Sequence, residues 1–355
     1  MSLRIAVLTP NWLGDAAMAL PALGAVRQHF SQDTLVVAAR ASLSALFGMV
    51  TGVDEVVSLG AGGGWRGGRP WASDVRALAG ARADIALLLP NSFRSAWIAR
   101  QAGVPERWGF VADWRGRLLT RRVARPRGRL HQADYYRALT AGLGMSPAPD
   151  RCRVEVPIGA KQRAHTLLRE IGVGPDDPVV GIAPGAAYGH AKQWPPDYYA
   201  RLVRLLHTRL GVVSVLVGSL GDRPAGDQIL ASLSESHSGG RPSFDAVRSL
   251  IARTDLAALA GVLVRCRAFV SNDSGAAHLA AAVGLPVTVI FGASDERGTA
   301  PLPVTSPSTP LHEILTCRVW CRPCMLRECP IDHRCMLGVD PESVAGAVAR
   351  QIGAA

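Results

Sequence analysis

The stretch Val270–Gly292, which reads VSNDSGAAHLAAAVGLPVTVIFG, is the most informative part of this 355-residue chain. Its apolar beginning predicts a strand that ends near Val270, followed by a polar turn and a helix of small residues from Ala276 to about Val283. Gly284 and Pro286 end that helix, and the apolar run after Pro286 predicts a second strand. The stretch therefore has the strand–turn–helix–strand pattern of a parallel α/β sheet.

The polar turn places groups that bind anions and sugars at the start of this helix. Unpaired backbone N–H groups and the positive end of the helix dipole favour an anion there. Ser274 can donate a hydroxyl hydrogen bond, and Gly275 lets an oxyanion approach the backbone. Asp273 can accept hydrogen bonds from sugar hydroxyls. The turn thus predicts a site for a phosphate beside a polyhydroxylated group, although Asp273 or Ser274 could equally be only a helix cap.

The composition is that of a globular protein with more than one core. A length of 355 residues favours two domains, and the chain is 48% hydrophobic and 19% charged. The sequence has no apolar run of transmembrane length, and residues 1–15 predict a strand and a polar turn rather than a signal peptide. We therefore expect a cytoplasmic protein.

The net charge of +11 suits an anionic partner such as nucleic acid, a phosphorylated glycan or an anionic membrane surface. Seven arginines lie in the fifteen residues 115–129, which contain no acidic residue. A solvated basic loop would explain them equally well. Because no aromatic stacking platform or nucleic-acid motif accompanies these arginines, phosphate groups on a glycolipid fit better than nucleic acid.

Strand-like apolar runs alternate with helical stretches along the chain, which predicts parallel sheets covered by helices. The predicted strands are Ile5–Leu8, Leu35–Ala38, Ile85–Leu89, Val179–Ile182, Val212–Val217, Ala268–Val270 and Val287–Phe291. A break at 150–178, where prolines and glycines flank one helix, separates two such halves. We therefore expect an α/β fold with two doubly wound domains that face each other across a ligand-binding cleft.

These features define a predicted domain plan. It consists of an amino-terminal domain at 1–157, a linker region at 158–178, a carboxyl-terminal domain at 179–340 and a final helix within 341–355 that could pack back across the junction. The glycine-rich stretch Gly60–Gly68 predicts a flexible loop, placed on the acceptor side.

Asp15 is a candidate base. The first predicted strand runs into Asn11-Trp12-Leu13-Gly14-Asp15, and a helix follows. The start of a helix keeps a carboxylate ionised and lowers its pKa. A carboxylate at the end of a strand facing a cleft could remove a proton from an attacking hydroxyl, whereas capping of the helix is the alternative.

A second motif, GIAPGAAYGHAKQWP at 181–195, follows another buried strand. Gly185 lies in a small-residue loop that could approach a phosphate, and Lys192 could neutralise a diphosphate or be only a surface lysine. The spacing is not that of a Walker A loop, which excludes a P-loop NTPase. Asp222 ends a later strand, where an acceptor for ribose hydroxyls is expected.

Five of the seven cysteines lie between Cys317 and Cys335. Such density in a cytosolic chain favours metal over disulfides. A structural zinc site is one interpretation, with the ligands Cys321, Cys324, Cys329 and Cys335 or His333. A reduced cluster without metal is an equal alternative, and an iron–sulfur cluster is a further one. Cys152 and Cys266 are predicted to be isolated core residues.

Several blocks of the sequence resemble one family, the ADP-heptose:lipopolysaccharide heptosyltransferases. The blocks are NWLGDAAMALPAL (Asn11–Leu23), LLLPNSFRSAWIARQAGVPERWGF (Leu87–Phe110), PGAAYGHAKQWP (Pro184–Pro195), SNDSGAAHLAAAVGLP (Ser271–Pro286) and CRPCMLRECPIDHRCM (Cys321–Met336). They follow the family's order over nearly the whole chain. The NSFRSA block and the cysteine-rich ending are most similar to heptosyltransferase II, the subtype that adds the second inner-core heptose. The resemblance implies the GT-B fold of two Rossmann-like domains.

The resemblance also implies roles for single residues. Asp15 corresponds to the proposed catalytic base, and Lys192 corresponds to the lysine that binds the donor diphosphate. Asp273 corresponds to the residue that contacts the donor heptose. Ser274 and Gly275 correspond to the phosphate-binding start of the helix. His278 lies one turn later on the same helix and could equally be a neighbour of the donor or a core histidine. Ala252 stands where the family often has a glycine, next to the expected adenosine pocket.

The implied reaction is a single displacement with inversion. Asp15 deprotonates an acceptor heptose hydroxyl, which attacks the anomeric carbon of ADP-L-glycero-β-D-manno-heptose and releases ADP. Lys192 and the helix start would stabilise the leaving charge, so no cofactor is expected for catalysis. The acceptor is a lipopolysaccharide inner core of the heptosyl-Kdo2-lipid A type, at the inner face of the cytoplasmic membrane. Candidate acceptor-binding residues are Arg94, Arg115, Arg117 and Arg121.

Three alternatives remain open at this point. The chain could be a GT-B transferase that uses another nucleotide sugar or acts later in core assembly. It could be a non-catalytic binder of a nucleotide sugar or glycolipid, although the presence of both Asp15 and Lys192 argues against this. A nucleic-acid-binding protein is suggested only by the basic charge balance and would show steep salt dependence without donor preference.

Overall fold

The computed structural model describes residues 2–60, 71–148, 153–235, 246–303 and 312–353. The chain divides into two compact units, Met1–Glu155 and Val156–Ala355. Within the described residues, no helix is both long and apolar enough to cross a lipid bilayer. The predicted glycine-rich loop lies outside these residues after Gly60, and so does Cys152.

The first unit contains a six-stranded parallel sheet in the order β3-β2-β1-β4-β5-β6. Its strands are β1 (Arg4–Leu8), β2 (Thr34–Arg40), β3 (Glu55–Leu59), β4 (Ile85–Leu88), β5 (Glu106–Phe110) and β6 (Arg121–Val123). Its helices are α1 (Leu13–Met18), α2 (Leu20–His29), α3 (Ser44–Phe47), α4 (Ala72–Gly80), α5 (Phe93–Gln101) and α6 (Gln132–Gly142). The order reverses between β1 and β4, which is where ligands bind in such sheets.

The second unit repeats this topology in the order β12-β11-β10-β7-β8-β9. Its strands are β7 (Val179–Ala183), β8 (Val213–Leu216), β9 (Val247–Ser249), β10 (Ala268–Asn272), β11 (Val287–Phe291) and β12 (Glu313–Thr316). Its helices are α7 (Ile158–Glu170), α8 (Pro196–Leu210), α9 (Arg223–Glu235), α10 (Leu256–Arg265), α11 (Gly275–Ala282), α12 (Glu296–Thr299), α13 (Arg334–Leu337) and α14 (Pro341–Gln351).

The central strands of both sheets are almost wholly buried, as strands covered on both faces by helices should be. The predicted α/β class with two doubly wound sheets is confirmed, while the predicted cleft between the domains stays a prediction. All seven predicted strands are present, and their ends differ from the predicted ones by at most two residues.

Residues 158–178 are not a free linker, because α7 packs on α10 inside the second unit. The final helix α14 packs on α8, β10 and β11 of the same unit. Val344 and Val348 of α14 are fully buried in the core of the second unit. The boundary between the units therefore lies at 155/156.

Candidate functional site

The second unit brings a polar turn and the start of α11 to the carboxyl edge of its sheet. β10 ends at Asn272, and α11 begins at Gly275. Ser274 precedes the helix in an extended conformation, and its hydroxyl lies 2.7 Å from the Ser271 hydroxyl. Ser274 therefore does not cap α11 with its side chain. The first N–H groups and the helix dipole consequently favour an anion at this position.

Lys192 and Asp273 form an ion pair beside this helix start. Lys192 ends a 3₁₀ turn, His190–Lys192, and its Nζ lies 2.5 Å from Asp273 Oδ2. The two side chains are only 13% and 7% exposed. A phosphate bound at the start of α11 would compete with Asp273 for the lysine, since both are oxyanions.

The buried Ser294 hydroxyl donates to the same Asp273 oxygen at 2.6 Å. Ser294 is absent from the predicted site. Its only signal in the sequence is that a polar residue follows the buried strand β11, at the same sheet edge as the turn after β10. A serine in that position orients the Asp273 carboxylate and adds a hydroxyl near the helix start.

Asn272 is a second residue that the sequence did not reveal. Its buried side chain accepts hydrogen bonds from the backbone N–H of Trp194 at 3.0 Å and the Tyr199 hydroxyl at 2.9 Å. It donates to the carbonyls of Pro184 at 2.8 Å and Gly185 at 3.2 Å. These partners lie in the loop between β7 and α8 and, for Tyr199, in the first turn of α8. Asn272 thus holds the segment that carries Lys192 against β10.

Gly185 and Asp222 lie against each other. A Cβ on Gly185 would come within 1.8 Å of Asp222 Oδ1, so any other residue at this position would displace the Asp222 carboxylate. Asp222 Oδ2 accepts from the backbone N–H of Ser219 at 2.7 Å and from its hydroxyl at 2.8 Å. The ribose-binding role of Asp222 stays a prediction, and so does the donor-site role of His278, which is buried on α11.

Asp15 lies in the first unit, in the first turn of α1. Its side chain is half-buried and faces α6, where Tyr136 is buried. Burial, and secondly the nearby charge of Asp15, raise the pKa of Tyr136. The position after β1, at the carboxyl edge of the first sheet, is the one that the sequence predicts for the base.

The same edge of the first sheet carries a cavity of about 470 Å³, lined by residues that follow β1, β2, β3 and β4. Arg94 lines it and forms an ion pair with the nearly buried Asp74, at 2.5 Å. Asp74 also accepts from the Gly60 N–H at 2.6 Å. Arg40 and Ser42 add a second cation and a hydroxyl to the lining. Arg40 and Asp74 were not predicted, because their positions become adjacent only through the fold.

The acceptor-binding role predicted for Arg115 is corrected by its burial. Arg115 is 0% exposed, and its guanidinium donates to the carbonyls of Phe110 and Pro90 and to the Ser95 hydroxyl. Loss of hydration lowers the pKa of Arg115 to about 10. This arginine ties β5 to the loop after β4, and it presents no surface to a ligand.

Arg117 and Arg121 are exposed, so their acceptor-binding role stays a prediction. Arg121 does not lie in a basic loop but begins the edge strand β6. Its guanidinium lies 5.0 Å from the Trp108 ring and donates to the Leu143 carbonyl at 3.0 Å.

The four cysteines proposed as zinc ligands line one small cavity of about 50 Å³. In the part of the chain that the structure describes, no three metal-ligating side chains are arranged to hold an ion, so zinc is not supported. Burial, and secondly the neighbouring thiols, raise the pKa of Cys335. Cys266 is a buried core residue as predicted, and burial raises its pKa to about 12.

Comparisons with known proteins agree with one another. The model of the family described as glycosyltransferase family 9 (heptosyltransferase) matches residues 71–334. Lipopolysaccharide heptosyltransferase 2 of Escherichia coli is 30% identical over 306 residues, which cover 84% of this chain and 86% of that protein. Lipooligosaccharide heptosyltransferase 2 of Haemophilus influenzae is 28% identical over 313 residues, with the same coverage. The structure of E. coli ADP-heptose lps heptosyltransferase II matches with a TM-score of 0.78 and 26% identity, over 99% of this chain and 98% of that one.

Proposed function

Because this chain belongs to glycosyltransferase family 9 and is a glycosyltransferase, we propose that it transfers L-glycero-D-manno-heptose from ADP-heptose to an inner-core heptose of lipopolysaccharide. The observation that carries the proposal is the Lys192–Asp273 pair beside the start of α11. A cation, a carboxylate and free helix N–H groups at one point suit a diphosphate that is attached to a sugar.

The second unit is the donor side of this proposal. Lys192 and the N–H groups after Ser274 and Gly275 bind the diphosphate, and Lys192 exchanges Asp273 for phosphate when the donor arrives. Asp273 is then available to accept hydrogen bonds from heptose hydroxyls, with its orientation fixed by Ser294. Gly185, Asp222 and His278 complete the donor site, Asp222 on the ribose.

Asp15 is the base of the proposed reaction. Its carboxylate takes the proton of an acceptor hydroxyl while the hydroxyl oxygen forms a bond to the anomeric carbon of the donor. The bond between that carbon and the diphosphate oxygen breaks on the opposite side, so the configuration inverts and ADP leaves. The developing charge on ADP is stabilised by Lys192 and the helix start, which are ordered before the reaction begins.

The first unit is the acceptor side. Its cavity of about 470 Å³ contains the cations Arg40 and Arg94, which suit the acidic groups of a lipopolysaccharide core. The exposed Arg117 and Arg121 add positive charge to the same unit. A lipid-linked acceptor and a basic protein would bring the enzyme to the inner face of the cytoplasmic membrane as a peripheral protein.

The test is ADP release by the purified protein with ADP-heptose and an acceptor that carries one heptose. We expect release that depends on the acceptor, and a loss of about a hundredfold or more in Asp15→Asn, since a positioned base contributes that much. Asp134→Asn is the matched control, because Asp134 also lies in the first turn of a helix of this unit but forms an exposed ion pair with Arg137.

Each other result would change a different part of the proposal. An unchanged rate in Asp15→Asn would remove Asp15 from the role of base and leave the transferase. Turnover only with a two-heptose acceptor would place the enzyme at a later step of core assembly, and preference for another nucleotide sugar would change the donor. Tight binding of ADP-heptose without release on any acceptor would contradict the proposal and indicate a binding protein.

A further inference from the structure

The cysteine-rich segment, residues 317–335, contacts the loop that carries Lys192. The Ala191 N–H donates to the Arg327 carbonyl at 2.8 Å, and the Tyr188 hydroxyl donates to the Met325 carbonyl at 2.9 Å. A Cβ on Gly189 would lie 2.4 Å from the Arg327 carbonyl oxygen, so the two backbones are in close contact. These contacts fix the position of Arg327 relative to Lys192 through the main chain.

The segment is joined to the loop after β11 as well. The Met325 N–H donates to the Ala293 carbonyl at 2.9 Å. Arg322 donates to the Gly292 carbonyl at 2.8 Å and pairs with Glu296 at 2.5 Å. The cysteine-rich segment therefore connects the two loops that supply Lys192 and Ser294 to the site, although no cysteine takes part in these contacts.

Two cations lie against one aromatic ring at this junction. The Nζ of Lys192 is 4.7 Å from the centroid of the Tyr188 ring, and the guanidinium carbon of Arg327 is 5.3 Å from it. Each contact is favourable because the ring face is electron-rich. Because both distances are measured to the same centroid, the two like charges are at most about 10 Å apart, and an anion bound by both would offset their repulsion.

Only one of these cations is neutralised. Lys192 is paired with Asp273, whereas no carboxylate in the described part of the chain lies within ion-pair distance of Arg327, whose side chain is exposed. Lys192 supplies a single positive charge, whereas each phosphate of a diphosphate carries negative charge. A long, exposed arginine beside it has the reach and the planar set of donors that bind phosphate oxygens.

We infer that Arg327 is a second cation of the donor site and binds the diphosphate together with Lys192. The inference rests on the donor site proposed above and extends it to the cysteine-rich segment, which then forms part of the binding site through Arg327. An arginine in this position should favour a diphosphate over a monophosphate, because one phosphate can satisfy Lys192 and the helix start while the other meets Arg327.

The test is titration calorimetry of ADP and AMP with the full chain. Arg327→Ala should weaken ADP binding by about tenfold, the usual effect of losing one charge-assisted contact, and should change AMP binding much less. Arg327→Lys should recover part of the loss. Arg318→Ala is the matched control, because Arg318 is an exposed arginine of the same segment with no ion pair among the described residues, and it should bind ADP as the wild type does.

The outcomes separate this inference from the donor site itself. If the wild type binds ADP, Lys192→Ala weakens binding and Arg327→Ala does not, Arg327 has no part in the site and only this inference fails. An equal loss for ADP and AMP in Arg327→Ala would also overturn it, because the effect would then not concern the second phosphate. If the wild type binds neither nucleotide, the proposed function fails together with the inference.

Discussion

At the residue scale, Asn272 is the clearest case of a side chain whose partners are distant in sequence. Asn272 stands beside the predicted Asp273, yet its role depends on Trp194 and Tyr199, which lie more than seventy residues earlier. No local pattern could predict these hydrogen bonds, since each of the residues alone is typical of a protein core. By contrast, Lys192 and Asp273 could both be assigned to one site, because each follows a buried strand of one parallel sheet, although their ion pair was not predicted.

Ala252 has a backbone conformation that its residue type does not predict. Its backbone has a φ of +61°, in the left-handed region that favours glycine. The resemblance to the family, which often has a glycine at this position, agrees with that conformation. The Ala252 N–H donates to the Gly218 carbonyl at 2.9 Å, which holds the turn in place. Apart from the resemblance to the family, no pattern in the sequence marks this alanine.

Arg115 provides the residue-scale prediction. Arg115→Ala removes a fully buried guanidinium that donates to two carbonyls and a hydroxyl, and it leaves a cavity. We expect a loss of roughly 2–4 kcal/mol in the free energy of unfolding, as for other buried groups of this size. Chemical denaturation, followed by tryptophan fluorescence, measures it.

The control is Arg117→Ala, because Arg117 lies in the same 3₁₀ turn, Arg115–Leu118, but is exposed. Its stability should stay within about 0.5 kcal/mol of the wild type. A stable Arg115→Ala protein with weakened acceptor binding would contradict the structural role and restore the role predicted from the sequence.

At the element scale, the apolar runs predicted seven of the strands and missed the internal strand β5 and the four edge strands β3, β6, β9 and β12. β6 and β9 are edge strands of three residues each, and β6 begins with two exposed arginines. Edge strands bury little apolar side-chain surface, so their sequences contain no apolar run that a pattern could detect. For the same reason the sequence predicts a basic loop at 115–129, although this stretch contains a buried arginine, a 3₁₀ turn and a strand.

His312 gives a prediction about how β11 and β12 are held at their beginning. Its Nδ1 accepts from the Val287 N–H at 3.2 Å, and its Nε2 lies 2.9 Å from the Leu302 carbonyl. Only the neutral ring can accept at Nδ1 and donate at Nε2. Burial lowers the pKa of His312 below its ordinary value near 6.5, while the bond to Leu302 partly opposes this.

The sign of the pH effect follows from that shift. Between the lowered pKa of the folded state and about 6.5, the unfolded chain binds more protons, so stability falls as the pH falls through this window. We expect the thermal unfolding midpoint to drop between pH 7.5 and 5.5, and to drop less in His312→Gln. An equal drop in both proteins would show that other groups cause the acid sensitivity.

At the scale of the whole molecule, the sequence predicted two α/β units and a linker region at 158–178, which belongs to the second compact unit of the structure. The sequence predicts a linker at 158–178 because prolines and glycines flank the helix there. This helix, α7, nevertheless buries Ala164 and Leu168, which are four residues apart on one face. They pack on α10, where a Cβ on Gly261 would lie 2.5 Å from the Ala160 carbonyl oxygen. A boundary depends on which unit a helix packs against, and composition does not show this.

The last prediction concerns the independence of the second unit. Residues 156–355 contain a complete six-stranded sheet, their own apolar core and every residue that we assign to the donor. This fragment, produced alone, should therefore fold and bind ADP with a dissociation constant within about tenfold of that of the full chain, a difference of 1.4 kcal/mol. Circular dichroism and titration calorimetry measure the two properties, and Lys192→Ala in the fragment is the control for binding at the proposed site. A folded fragment that binds no ADP would mean that the first unit supplies part of the donor site, and the division into a donor and an acceptor unit would be wrong.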